Sequence, residues 1–199
     1  MQIVSNEIDD ATLWSEFIKG NQNSLELLYK RHYTLLLNYG LKFTQDRELT
    51  KDCIQDVFFK LHKSKDLSYT ISPRSYLLKA LRNILYDKLS SIKETVDLEE
   101  FTFQMSDSQD LFDQLFSRSD EDLLLAKQLL EAITALRSNQ KTALYLRYVR
   151  DLSYKEIAEI MDINVQSSMN LVSRSLTKLR ELLKDDNLIL ILLFISKAL

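Results

Sequence analysis

Residues 153–183, SYKEIAEIMDINVQSSMNLVSRSLTKLRELL, decide the fold of the chain. Ser153-Tyr154-Lys155-Glu156 is a capping box. The serine side chain can accept from the backbone N–H three residues on while the glutamate reaches back, so a helix starts there. Ala158 is small where a second helix would cross, Ile157, Met161 and Ile163 flank the turn, and Leu171, Val172, Leu176 and Leu179 continue an inner stripe at helical spacing. A small crossing residue, an apolar clamp and a second helix with a polar outer face are what a helix-turn-helix requires. Asn164 is the expected cap of that second helix, and its early outer positions Gln166, Ser167, Met169 and Asn170 are placed to reach base edges. Ser173, Arg174, Lys178 and Arg180 follow, and no acid stands between Val165 and Arg180, which suits a helix lying against phosphates. Asp162 stands where the turn most often has glycine, and Ser168 where the recognition helix usually has an apolar residue. Aspartate can still take the left-handed turn conformation. The alternative is an ordinary helical hairpin in an all-α core.

Outward from this module the chain reads as helical throughout. It has 2 glycines and 1 proline in 199 residues, where an average composition of roughly 7% Gly and 5% Pro would supply several times more. So little turn chemistry argues for helices on short polar links and against a sheet. The single cysteine, Cys53, cannot form an internal disulfide, and no charged-then-apolar leader opens the sequence, so a cytoplasmic location is expected. His32 and His62 are the only histidines, and no glycine-rich phosphate loop is present. No catalytic constellation, cofactor site or metal site is expected, and the chain does not read as an enzyme.

In the first half, residues 12–40 carry apolar residues at helical spacing, interrupted at Gly20–Asn23, which predicts two amphipathic helices. A third is expected from about Glu48 to Lys63, with Ile54, Val57, Phe58 and Leu61 on the core stripe. Asp52, Gln55, Asp56 and Phe59 lie around the other side and form a free face. A loop then ends at Ser72-Pro73, where serine can cap a helix and proline suits its first turn. The helix that follows, to about Leu89, turns Leu77, Leu78, Leu81, Leu85 and Leu89 inward and sets Tyr76, Lys79, Asn83 and Tyr86 in an outward row with Arg82 beside it. Rings to stack on bases and cations to neutralise phosphates are what a single-stranded nucleic acid needs. Tyrosines on an amphipathic helix also serve as half-buried packing residues, and that reading stays open.

The net charge of -3 hides an asymmetry. Residues 91–122 hold ten acids against two bases, a local charge of -8, which leaves +5 on the rest of the chain. Two mildly basic helical domains joined by an acidic linker are therefore expected, at residues 1–90 and 122–186 with the linker at 91–121. Leu123–Leu136 and Asn139–Arg150 read as the first two helices of the second domain. The tail, residues 187–199, contains the apolar run LILILLFI at 188–195. Eight residues are too few for a bilayer span, which takes about 20. A last helix folded back on the second domain, or a docking segment for a regulatory partner, are the two readings.

At the level of motifs, both halves resemble one family, the extracytoplasmic-function branch of the sigma-70 factors, the promoter-reading subunits of bacterial RNA polymerase. Asp52-Cys53-Ile54-Gln55-Asp56-Val57-Phe58-Phe59-Lys60-Leu61 is similar to its D-x-x-Q-E-V-F-x-x-L helix, with Asp56 in place of Glu. Tyr76-Leu77 and the Leu81-Arg82-Asn83 run ending Tyr86-Asp87 are similar to its next helix. Leu152 to Ala158 resembles its L-S-Y-x-E-I-A, and Arg174 to Arg180 its R-A-L-x-x-L-R, with Ser175 in place of Ala. The resemblance implies that Asp52, Gln55, Asp56 and Phe59 dock on the clamp helices of the largest polymerase subunit. It implies that the loop from Lys65 to Ser72, with Tyr69, and the row Tyr76, Lys79, Arg82, Asn83 and Tyr86 melt and capture the -10 element. Gln166, Ser167, Met169, Asn170, Ser173, Arg174 and Lys178 would then read the -35 element, the linker would thread the polymerase channels, and an anti-sigma factor is a further expected partner. A stand-alone helix-turn-helix regulator is the alternative function.

Overall fold

The computed structural model describes residues 8–64, 67, 72–92, 128 and 131–183. Every regular element among them is helical. The chain divides into two compact units, Met1–Lys93 and Glu94–Leu199. The expected acidic linker lies outside the described residues except for residues 91 and 92, which end a helix, and the apolar tail lies outside them entirely.

In the first unit α1 (Asp10–Ile18), α2 (Gln22–Gly40), α3 (Arg47–Lys63) and α4 (Pro73–Ile92) follow one another. Each start is set by a side chain that satisfies an orphan backbone donor. Asp9 accepts from the Thr12 N–H at 2.7 Å, Asn21 from Asn23 at 3.1 Å, and Asp46 from Leu49 at 2.9 Å. The expected break at Gly20–Asn23 is a left-handed Gly20 at φ 101° after α1. At the end of α2, Gly40 is required for a different reason. A Cβ there would stand 2.5 Å from the Thr50 methyl, so the absence of a side chain lets α2 meet α3.

α2 packs on α1, α3 and α4, and α3 packs on α4. Leu13, Trp14, Leu28, Leu36, Tyr39, Ile54, Leu77, Leu78, Leu81 and Leu85 are sealed from solvent between them. Two apolar assignments on α4 change: Ile84 is buried, and Leu89, expected inside, is half-buried near the helix end. Beside this core, Asp10 ties α1 to α2. Its carboxylate meets Arg31 at 2.6 Å and the buried His32 at 2.8 Å.

The second unit, in its described part, contains a helical stretch at residues 131–134, then α5 (Ser138–Leu144), α6 (Tyr154–Met161) and α7 (Val165–Leu183). The helix expected over Asn139–Arg150 is not one α-helix. After Leu144 the backbone widens into a π-helical turn, Tyr145–Val149, where the Arg150 N–H reaches the Tyr145 carbonyl at 3.1 Å. The extra residue per turn buries Tyr145 and Leu146 together, and the Arg150 Nε donates to the Tyr145 hydroxyl at 2.6 Å. Arg147 then donates to the Leu152 carbonyl at 2.9 Å and lies over the Tyr154 ring at 5.0 Å, bracing the start of α6. α7 packs against α5 and α6.

Candidate nucleic-acid interface

The α6–α7 pair has the local geometry that its sequence predicts. Ser153 accepts from the Glu156 N–H at 3.3 Å, and Glu156 accepts from the Ser153 N–H at 2.9 Å. Ala158, Ile157 and Met161 are buried at the crossing, and Ile163 is half-buried. Asp162 ends α6 at φ 58°, ψ 45°, the left-handed conformation that glycine would supply more cheaply. Asn164 caps α7, accepting from the Ser167 N–H at 2.7 Å.

The buried stripe of α7 differs from the expected one. Leu171 and Leu176 are only half-buried, and the sealed positions are Ser168, Val172, Ser175 and Leu179. Ser168 does not stand in the stripe as an unsatisfied polar group. Its hydroxyl lies 2.8 Å from the Tyr154 carbonyl at the start of α6 and 2.7 Å from its own helix's Val165 carbonyl. Ser175 bonds the Leu171 carbonyl at 2.6 Å. Two small, internally satisfied side chains thus replace apolar ones, and one of them ties the two helices of the motif together.

Of the sequence-predicted positions on the outer face of α7, Gln166, Met169, Asn170, Ser173 and Arg174 are exposed, and Ser167 and Lys178 are half-buried. The Gln166 amide donates to Asn170 Oδ1 at 3.1 Å. Sequence reasoning passed over Val165, which is also exposed on the first turn. An apolar residue next to a cap reads as core unless its register on the helix is known.

In the first unit, Asp52, Gln55 and Phe59 are exposed on α3, and the Lys63 ammonium lies 4.2 Å from the centre of the Phe59 ring. Asp56 belongs to the same face but is not free, because its carboxylate pairs with Lys88 of α4 at 2.7 Å. The hydrogen bond to Asp56 holds the Lys88 ammonium above the usual lysine range. Beneath them Cys53 is sealed in the core, where burial pushes its thiol up and away from reactivity.

The row on α4 is present but less outward than expected. Asn83 is exposed, whereas Tyr76, Lys79, Arg82 and Tyr86 are half-buried. Tyr76 packs on Trp14 with ring centres 4.9 Å apart, Tyr86 meets Phe43 edge-on at 5.7 Å, and the Arg82 guanidinium sits 4.4 Å from the Tyr86 ring centre. The packing reading left open for these tyrosines therefore holds in part. Trp14 and Phe43, which support them, lie far away in sequence and carried no signal. Tyr69 falls outside the described residues.

The family model for Sigma-70 region 2 matches residues 28–95, and that for Sigma-70 region 4 matches residues 126–179. Among curated relatives, the chain is 28% identical over 171 residues to RNA polymerase sigma factor YlaC of Bacillus subtilis (strain 168), covering 81% of this chain and 92% of that protein. It is 23% identical over 163 residues to ECF RNA polymerase sigma factor SigM of the same organism, covering 80% of this chain and 94% of that protein. Its fold is similar to that of CnrH, solved in complex with the cytosolic domain of CnrY, with a TM-score of 0.58 at 18% identity over 89% of this chain and 98% of that one. With a region 2 match before a region 4 match and relatives named for the same role, the chain belongs to the extracytoplasmic-function branch of the sigma-70 family, the factors that direct promoter-specific transcription.

Proposed function

We propose that this sigma factor divides its work between its two units. The first, residues 1–90, docks on the clamp helices of the largest core-polymerase subunit through Asp52, Gln55, Asp56 and Phe59. The loop before α4, with Tyr69, and the row Tyr76, Lys79, Arg82, Asn83 and Tyr86 then open the -10 element and hold an unpaired base. In the second unit, residues 122–186, α7 enters the major groove of the -35 element with Gln166, Ser167, Met169, Asn170, Ser173, Arg174 and Lys178. The acidic segment 91–121 links them along a path meant for nucleic acid, and an anti-sigma factor is the regulatory partner.

The observation that carries this reading is the exposed face of α3. A helix that buries Cys53, Ile54, Val57, Phe58 and Leu61 leaves Asp52, Gln55 and a large aromatic, Phe59, in solvent. An exposed phenylalanine between acid and amide is a cost to an isolated protein and an anchor for a bound one. It suits a protein partner, a contact that DNA binding alone does not supply. The test is run-off transcription with core polymerase on a candidate promoter, together with a direct core-binding assay. The full chain should bind core and initiate, and the combined variant Gln55→Ala, Phe59→Ala should lose core binding while keeping its fold. A well-folded chain that does not bind core would overturn the reading.

A further inference from the structure

Two of the large apolar side chains left in solvent stand on the exposed outer face of α7. Val165 is 44% exposed and Met169 41% exposed. They are four residues apart, so they lie one above the other on a single row. The neighbouring row begins with Gln166 and Asn170, also four apart and joined by their 3.1 Å hydrogen bond. Ser173 and Arg174, both exposed, continue the two rows. The helix therefore shows a short apolar strip beside an amide strip, on a surface free of acids from Val165 to Arg180.

We propose that Val165 and Met169 are specificity-determining residues that read the 5-methyl groups of thymines in the major groove. This rests on the reading above, that α7 is the helix that enters the upstream promoter element. The charge of the surface selects the occupant: Arg174, Lys178 and Arg180 with no acid among them suit a polyanion. In the major groove of duplex DNA the apolar group on a base edge is the thymine methyl. An A·T pair shows that methyl beside the N7 acceptor and N6 donor of adenine, and glutamine and asparagine are the side chains that match the adenine edge. The Gln166–Asn170 bond leaves an acceptor lone pair on Gln166 and both amide donors on Asn170 uncommitted to each other. The two rows of α7 thus match the two surfaces of one kind of base pair.

The experiment uses holoenzyme assembled from core polymerase and the full chain. Promoter duplexes are selected from a library randomised over the upstream element, and the enriched element is then made with deoxyuridine in place of thymidine. Loss of each contacted methyl is expected to weaken binding roughly fourfold, the worth of one buried methylene. Val165→Ala and Met169→Ala should weaken binding to the thymidine duplex and no longer distinguish it from the deoxyuridine one. Equal binding of the two duplexes by the unaltered protein would overturn the proposal, as would an enriched element of G·C pairs alone. The deoxyuridine arm leaves the protein unchanged, so a variant that folds badly does not blunt the test. Truncating the upstream duplex separates the two levels. If truncation weakens binding and deoxyuridine does not, only this proposal fails; if truncation has no effect, the reading of α7 fails and takes this proposal with it.

Discussion

α4 and α7, the two helices with candidate DNA contacts, are built by opposite routes. α4 buries five large residues, Leu77, Leu78, Leu81, Ile84 and Leu85, and even its outer row leans on the core through Trp14 and Phe43. α7 seals only four positions, two of them serines, and leaves most of its outer row in solvent. In the first unit Tyr76, Arg82 and Tyr86, which would touch nucleic acid, are also packing groups, so at these positions fold and function cannot be changed separately. In the second they can.

The largest effect should come from Trp14→Ala, which removes a fully buried ring and the platform under Tyr76. A loss of about 3–5 kcal/mol is expected for truncating such a residue. Urea unfolding followed by far-UV circular dichroism would measure it, since the variant has lost the chain's single tryptophan. A change under about 1 kcal/mol would break the comparison by showing that the first unit does not depend on this support. On α7 the matching experiment is Asn170→Ala. Stability should stay within about 0.5 kcal/mol, while discrimination between upstream sequences by holoenzyme falls by about 1–3 kcal/mol. A destabilised Asn170→Ala protein would mean that the outer row of α7 also serves the fold.

Ser168→Ala probes a polar side chain that ties α7 to α6. The hydroxyl's contacts with the Tyr154 and Val165 carbonyls should be worth about 0.5–1.5 kcal/mol. The same unfolding curve reads the loss. The serine was visible in the sequence as a departure from the usual pattern, but its role was not. Residue type places serine outside; the carbonyls of its own helix and, at Ser168, the Tyr154 carbonyl of α6 satisfy the hydroxyl and let it go inside. The capping box, the left-handed Asp162 and the cap at Asn164 were legible because each depends on neighbours a few residues away. The π-helical turn at Tyr145–Val149 was not, because apolar periodicity over a dozen residues barely registers one extra residue in a turn. Nor was the half-burial of Tyr76 and Tyr86, which depends on rings contributed by other helices.

pH should separate the units without any mutation at a contact surface. Both histidines, His32 and His62, lie in the first unit. Burial holds His32 below its ordinary value of 6.5; nearby Asp10 works against that shift, and Arg74 and Arg31 add to it. A base whose folded value is depressed takes its proton more readily when unfolded. Stability of the first unit should therefore be full above about pH 6.5 and decline as pH falls from there toward the depressed value. Thermal unfolding between pH 7.5 and 5.5 should show the decline, and His32→Gln should flatten it. An unaltered slope in that variant would assign the effect to other groups.

The smallest effect concerns the contact that links the two candidate functions of the first unit. Lys88 of α4 and Asp56 of α3 are 2.7 Å apart, with side chains 36% and 45% exposed. At that exposure water screens most of the attraction, so Lys88→Ala should cost about 0–1 kcal/mol, and less in high salt. The value of the variant lies in its second readout. If Asp56 meets the polymerase as an oriented carboxylate, losing Lys88 should weaken core binding although the fold barely changes. If Lys88 instead competes for that carboxylate, core binding should tighten. Either shift would show that the proposed docking face of α3 is tuned by its contact with α4. No shift would leave α3 as separable from α4 in binding as the outer row of α7 is from its core, and would confine the merging of packing and function in this unit to the tyrosine row.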